Sequence, residues 1–434
     1  MNHFDQIKLG LVRQSFPASR RPDVEKRLAD EFVRAGFAAK IKPGQKVLIT
    51  SGSRGIESML EVLQVLVKLV KSVGGRPLIL PAMGSHGGGT SAGQIEVLAH
   101  LGQTEATLGA PIHDDYQPVQ IGEVFDRVPV FVDRVCLPEQ TDHVILVGRV
   151  KEHTEFSGPI ESGLLKMAVV GLGRVAGATS MHQAAVKYTY AEAIKNMARM
   201  IFTETPVLGG IALVDDQRNI LHHLEAVPAA DIHEREPELL KMSQRVKPKL
   251  PWDKLDILLV DEMGKDISGS GLDTKVIGRI MNIYEKELTT PAITRLVTRR
   301  ISAKGGGNAI GLGLSDFVTQ QLFEAVDMEM TRLNSVVAVA PEKGRCPIVA
   351  SNTKAALKLA LETVGPWSPE VLSLAWILNT KDLEYLAVSP CLWDKVNSDP
   401  SLEAVSSPKT WPWNAETEGP EFNNYLRQRL GDNL

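Results

Sequence analysis

The stretch KVLITSGSRGIESMLEVLQVLVKLVKSVGGRPLILPAMGSHGGG, residues 46–89, reads in order as strand, loop, helix, strand and loop. KVLIT (46–50) is a short β-branched run that stops at SGSRG. IESMLEVLQVLVKLVKSV (56–73) carries apolar residues at helical spacing and stops at Gly74-Gly75. RPLILP (76–81) is a second, apolar strand ending at GSHGGG. Outward from there, SAGQIEVLAHLG (91–102) follows as a helix and DHVILVGRV (142–150) as a third strand. This repeated order predicts an α/β fold built on mostly parallel sheets with helices on both faces. Ligands of such sheets bind beyond the carboxyl ends of the strands. Arg54, His86 and His153 each fall just past one of those ends, which would bring a guanidinium and two imidazoles to one rim.

At 434 residues the chain exceeds what one hydrophobic core usually supports, so two α/β domains are expected. VKPKLPWDK (246–254) holds two prolines just ahead of a new strand, LDILLVDE (255–262), and marks the boundary. The expected division is a first domain over 1–248, a second over 253–400, and an irregular tail over 401–434 that packs back on the first. In the second domain SVVAVA (335–340) reads as a strand and NTKAALKLALETV (352–364) as a helix. The active site is expected in the cleft between the domains.

Hydrophobic content of 43%, charge of 23% and a net charge of −4 describe an ordinary soluble protein and give no reason to expect nucleic acid or an anionic membrane as partner. The longest apolar-rich run, 59–73, is broken by Glu61, Gln64, Lys68 and Lys71 and is too polar to span a bilayer. Three widely spaced cysteines exclude a disulfide framework and a CxxC metal site, and the N-terminal stretch lacks the pattern of a secretory signal. A cytoplasmic protein is expected.

Chemistry concentrates in KEHTEFSGPIESGLLKMAVVGLGRVAGATSMH (151–182), where His153, Lys166 and His182 sit among glycines in a chain with ten histidines. Glycine lets backbone approach a ligand closely. Lys166 stands in an apolar context, LLKMAVV. Burial disfavours an ammonium and suits an amine to covalent chemistry; the alternative is a helix lysine whose stem packs while its head reaches water. His86 and His153 are placed to serve as alternating acid and base. His182 is either a metal ligand or a hydrogen-bonded structural residue near a helix start. GLGRVAG (171–177) has GxGxxxG spacing with no acid about 20 residues on, so it departs from the dinucleotide fingerprint and leaves backbone cradling of a phosphate as its functional reading. Lys265, in the loop EMGKDISGSGLDT, could meet a substrate carboxylate or lie in a solvated loop.

Arg54, His86, His153, Lys166 and His182, by their order, spacing and glycine-rich settings, resemble the nickel-pincer-nucleotide-dependent lactate racemase family, best over 51–182. The resemblance implies that Lys166 anchors the cofactor, nickel bound to a pyridinium-3-thioamide-5-thiocarboxylic acid mononucleotide, and that His182 is the protein ligand to nickel. It implies His86 and His153 as catalytic acid and base and Arg54 as the group that binds the substrate carboxylate; Lys265 is a candidate substrate-binding residue, and Ser51, Gly84, Gly87, Gly88, Gly171 and Gly173 are candidate cofactor contacts. The implied reaction is racemisation or epimerisation at C2 of a 2-hydroxy acid by reversible hydride transfer, with cofactor-biosynthesis enzymes as transient partners. Ser51 stands where the family has Asp, and SGLLK (162–166) replaces Gly-Gly-Arg-Lys, so a hydroxy acid larger than lactate or of different charge fits as well as lactate does. Lys275 and Arg279 are further candidates in the second domain. Two other readings remain open: a pincer-free pyridine-nucleotide oxidoreductase or lyase, and a non-catalytic carrier of a nucleotide or metallocofactor.

Overall fold

The computed structural model describes residues 3–17, 19–52, 56–411 and 419–430. It divides into two compact units: Ala18–Lys247, and Pro248–Leu434 together with Met1–Pro17. Each unit is α/β.

In the first unit a five-stranded sheet runs in the order Arg76–Pro81, Lys46–Ser51, His143–Arg149, Val207–Asp215, Leu221–Pro228. The first four strands are parallel and the last is antiparallel to its neighbour. The apolar stripe of the helix Met59–Ser72 explains its place: Val62, Leu63, Leu66 and Val70 are wholly buried against Val47, Ile49 and Ile79 of the sheet. On the other side of the chain's path lie a hairpin, Pro118–Val124 with Val128–Asp133, and two long helices, Arg174–Tyr188 and Tyr190–Glu204.

The second unit holds an eight-stranded sheet, ordered Ile348–Ala350, Phe317–Thr319, Ala292–Ile301, Lys254–Met263, Leu374–Ile377, Tyr385–Val388, Lys8–Gln14, Leu402–Thr410. Its first five strands are parallel and the last three antiparallel. One core cluster centres on Leu258 and Val260, another on Leu259, Trp376 and Leu9.

Three expectations differ from the structure. Residues 1–17 belong with the second unit, because the strand Lys8–Gln14 fills the place between Tyr385–Val388 and Leu402–Thr410 and buries Leu9, Leu11 and Val12 there. The described parts of the tail are regular and stay in the second unit: Leu402–Thr410 pairs with Lys8–Gln14, and the helix Phe422–Leu430 buries Phe422 and Tyr425. Trp411 stacks on the buried Trp376 at 4.5 Å. Asp261 ties the tail down, accepting from Arg299, Arg300 and the backbone N–H of Phe422. Finally, 335–340 is no strand. The helix Met328–Val337 starts from the Asp327 cap and turns Thr331 and Ser335 inward, while Val336 and Val337 face outward at 64% and 50% exposure. The β-branched alternation there follows no buried face.

Truncating Trp411 tests the anchoring of the tail. Trp411→Ala is expected to lower unfolding stability by roughly 3–5 kcal/mol, in the range for large aromatic cavities. Urea denaturation followed by circular dichroism measures it; a loss below about 1 kcal/mol would show that the tail is a surface appendage.

Candidate functional site

The parallel register of Lys46–Ser51 with Arg76–Pro81 and His143–Arg149 puts three strand ends on one edge of the first sheet. The loops after the first two of these strands pack on the segment 167–178. A Cβ on Gly52 would lie 3.6 Å from Met167, one on Gly84 2.9 Å from Val170, and one on Gly89 2.7 Å from Val175. Gly84 and Gly89 have φ of 58° and 70°, where glycine is favoured. The loop that carries His86 is therefore fixed against the segment that follows His153. His86 itself is exposed, as is Gly88, and its backbone starts the short turn Gly87–Gly89.

Beyond the third strand the chain closes a loop: Lys151 and Ser162 exchange both backbone hydrogen bonds, at 2.9 and 3.1 Å. Inside it the buried Glu161 accepts the backbone N–H groups of His153 (2.5 Å) and Gly158 (3.3 Å). Phe156 is fully buried and its ring lies 4.8 Å from that of His153. His153 Nδ1 accepts the backbone N–H of Glu155 at 3.1 Å, and Nε2 lies 2.6 Å from Lys166 Nζ.

Lys166 closes the short helix Leu164–Lys166, which runs directly into a π-helical turn, Met167–Leu172. Turns of that kind are frequent at functional sites. A carboxylate from a distant helix caps this start: Glu236 accepts the N–H of Leu165 at 2.9 Å. Gly163 makes room for it, since a Cβ there would lie 2.6 Å from Glu236 Oε1. Burial pushes the Glu236 carboxyl up to about 7, against the pull of the helix-start amides.

His182 lies in the second half of the helix Arg174–Tyr188, further from its start than the sequence suggests. That helix ends at Thr189, whose φ of 65° is a strained conformation for a β-branched residue. The reversal there brings the buried Tyr190 ring to 5.8 Å from His182 and 6.1 Å from His153, and stacks it on Phe156 at 4.9 Å. One apolar wall thus serves both histidines.

The other expected residues fall as follows. Ser51 is buried and donates to Gln103 at 2.5 Å. Gly171 and Gly173 are buried, and what a side chain there would meet is protein: Ala82 at 3.2 Å from a Cβ on Gly171, the carbonyl of Phe131 at 2.7 Å from one on Gly173. Gly87 likewise abuts the backbone of Gly93 and Gln94. Arg174, in the middle of GLGRVAG, is wholly buried and bound to Asp133 at 2.9 Å and Gln94 at 2.6 Å, with Tyr116 beneath its guanidinium at 4.4 Å. Arg54 lies outside the described residues. Lys265 and Lys275 belong to the second unit, the first half-buried in a loop closed by Gly264 N–H on the carbonyl of Gly271. Arg279 is held by Asp316 and the carbonyls of Leu314 and Ile293.

Among the described residues no group of three or more His, Cys, Asp or Glu side chains is arranged to hold a metal ion. No single helix there is long and apolar enough to cross a membrane; a bent pair, Leu164–Leu172 with Arg174–Tyr188, has the length and composition and is mostly buried within the unit.

No family profile matches the chain, and no curated protein is significantly similar to it. Among solved structures it is similar to a protein from Thermotoga maritima, at 12% identity and a TM-score of 0.49 over 75% of this chain and 84% of that one. It is also similar to the lactate racemase apoprotein from Thermoanaerobacterium thermosaccharolyticum, at 12% identity and a TM-score of 0.44 over 81% of this chain and 95% of the other. Likenesses of this degree do not bear on activity.

Glu236 gives the site a pH signature. A carboxyl raised from 4.5 to about 7 on folding holds its proton more tightly in the native state, so its contribution to stability is lost as pH climbs through that window. The loss is at most about 3 kcal/mol. Glu236→Gln is expected to show a smaller fall in melting temperature between pH 5 and 7.5 than the parent. Parallel profiles would show that the carboxyl does not titrate there.

Proposed function

We propose that the first unit holds the active site of a racemase or epimerase acting at C2 of a 2-hydroxy acid, with Lys166 anchoring a nickel-pincer nucleotide. The observation that supports this reading is the gathering of His153, Lys166 and His182 around the Tyr190 and Phe156 rings.

The residues fit such a cofactor. A lysine amine against an imidazole is a setting for covalent attachment. His182 offers one imidazole outside any cluster of three protein ligands among the described residues, so a nickel ion held there takes its other donors from the bound group. Sulfur and imidazole donors suit planar nickel. When bound, the pincer nucleotide supplies a hydride acceptor, which spares the reaction a poorly stabilised C2 carbanion.

The chain's own part is proton handling and exclusion of water. His153 is oriented by its backbone N–H and by the Glu155 N–H on Nδ1, and Nε2, the nitrogen beside Lys166, is the one proposed to take and return the hydroxyl proton. His86, at the end of the neighbouring strand, is the proposed partner for the opposite face. Arg54 is the proposed carboxylate-binding group. The buried Phe156 and Tyr190 rings keep one side of the site dry, which strengthens the electrostatics inside it.

Turnover of C2-deuterated 2-hydroxy acids by cofactor-loaded protein tests the proposal. Retention of deuterium in the inverted product is expected, with His153→Asn lowering kcat by roughly 10²–10⁴-fold. Washout of deuterium to solvent would replace hydride transfer by deprotonation and favour pincer-free chemistry. Absence of turnover across the panel, with nucleotide affinity unchanged in His86→Ala and His153→Ala, would make the protein a carrier.

A further inference from the structure

The helix Met328–Val337 is patterned in reverse. A surface helix ordinarily turns an apolar stripe inward and keeps its polar residues outside. Here the buried positions are Thr331 and Ser335, four residues apart and so on one side. Both are engaged in polar contacts: Thr331 Oγ1 accepts the backbone N–H of Ala309 at 3.0 Å, and Ser335 Oγ donates to the Thr331 carbonyl at 2.8 Å. The turn Pro341–Gly344 packs closely on the same side, since a Cβ on Gly344 would lie 2.7 Å from Ser335 Oγ. Asp327 fixes the helix start by accepting the N–H of Met330 at 2.8 Å. These contacts hold the helix in one rotation, and they determine what faces outward.

The outward face is apolar. Met330, Leu333 and Val336 recur every third residue opposite Thr331 and Ser335, and with Met328 in the first turn they are between 40% and 64% exposed. At the far end of the helix Tyr284 Oη donates to the carbonyl of Val339 at 3.0 Å, which brings the neighbouring Ile283, 88% exposed, to the same region. Single exposed apolar residues are ordinary, whereas contiguous patches of this kind mark interaction surfaces. The five side chains leave roughly 500 Å² open to water, more than half of the ~800 Å² that each partner gives to a standard interface.

We propose that Met328–Val337 is the centre of a homodimer interface, in which the same helix of a second copy packs against it across a two-fold axis near Leu333. The character of the face selects this partner. Transient interfaces are about as polar as the rest of a protein surface, while homodimer interfaces are more apolar. Glu329 and Arg332, the exposed charged residues of the helix, are one of each sign, so two copies of the face carry no net charge that would drive them apart. An apolar stripe is its own complement, and two-fold pairing buries it on both copies at once. The inference stands apart from the proposed cofactor and reaction.

Sedimentation velocity of the full chain tests the proposal. At about 10 µM the protein is expected to sediment with twice the mass of one chain, because interfaces of this size class hold in the micromolar range or tighter. Leu333→Asp sets a charge in the middle of the stripe and is expected to weaken the dimer at least about 30-fold, with the circular dichroism of the parent retained. A second variant gives a reading that does not depend on that substitution. In a Cys346→Ser background, which removes the exposed native thiol, Leu333→Cys is expected to link two chains on mild oxidation, while Val33→Cys, on an exposed site of the first unit, stays unlinked. A monomer at that concentration, a dimer indifferent to Leu333→Asp, or no link through position 333 would overturn the proposal. So would a monomer that binds phosphatidylcholine–phosphatidylglycerol vesicles through Leu333, which would give the face to a membrane surface.

Discussion

Pairing of the Lys46–Ser51 strand with parallel neighbours on both sides is the constraint from which the site follows. Parallel strands place their loops at the same edge, so three separate stretches of chain end within reach of one another. Close packing then does the rest. Glycines at 52, 84 and 89 let the first two loops lie against Met167, Val170 and Val175, and any side chain at Gly84 or Gly89 would push them away. The position of His86 relative to the segment 151–182 is therefore set by backbone contact, on a rigid sheet rather than on loops alone.

Two buried carboxylates determine how that segment is shaped. Glu161 organises the loop around His153 by accepting its N–H and that of Gly158, and Glu236 starts the helix that presents Lys166. Both are nearly solvent-free, at 1% exposure, where an unpaired carboxylate is costly. Backbone N–H groups on these carboxyls fix local geometry on either side of the His153–Lys166 contact.

Much of the fold was legible because the first half of the chain follows simple rules. The runs at 46–50, 76–81 and 142–150 are apolar and short, the helix between the first two has a full apolar stripe, and glycines follow the helix and the first two runs. The role of 1–17 and of the tail was not legible, since Lys8–Gln14 takes its place between Tyr385–Val388 and Leu402–Thr410, and no local pattern records a partner some 390 residues away. In the candidate site, His153, Lys166 and His182 stood out by type and setting. Phe156 and Glu161 lie in the same stretch, and nothing in their type or spacing sets them apart. Glu236 had no signal at all, because its helix joins the site only through tertiary packing. In GLGRVAG the glycines pack closely against neighbouring chain, and the arginine forms a buried ion pair with Asp133.

The most direct test of this account is intact-protein mass spectrometry with metal analysis after coexpression with pincer-cofactor biosynthesis enzymes. The account predicts a mass increment located on Lys166 with stoichiometric nickel, the increment lost in Lys166→Ala and the nickel in His182→Ala. An unmodified, nickel-free chain from a host that loads a known lactate racemase would contradict it.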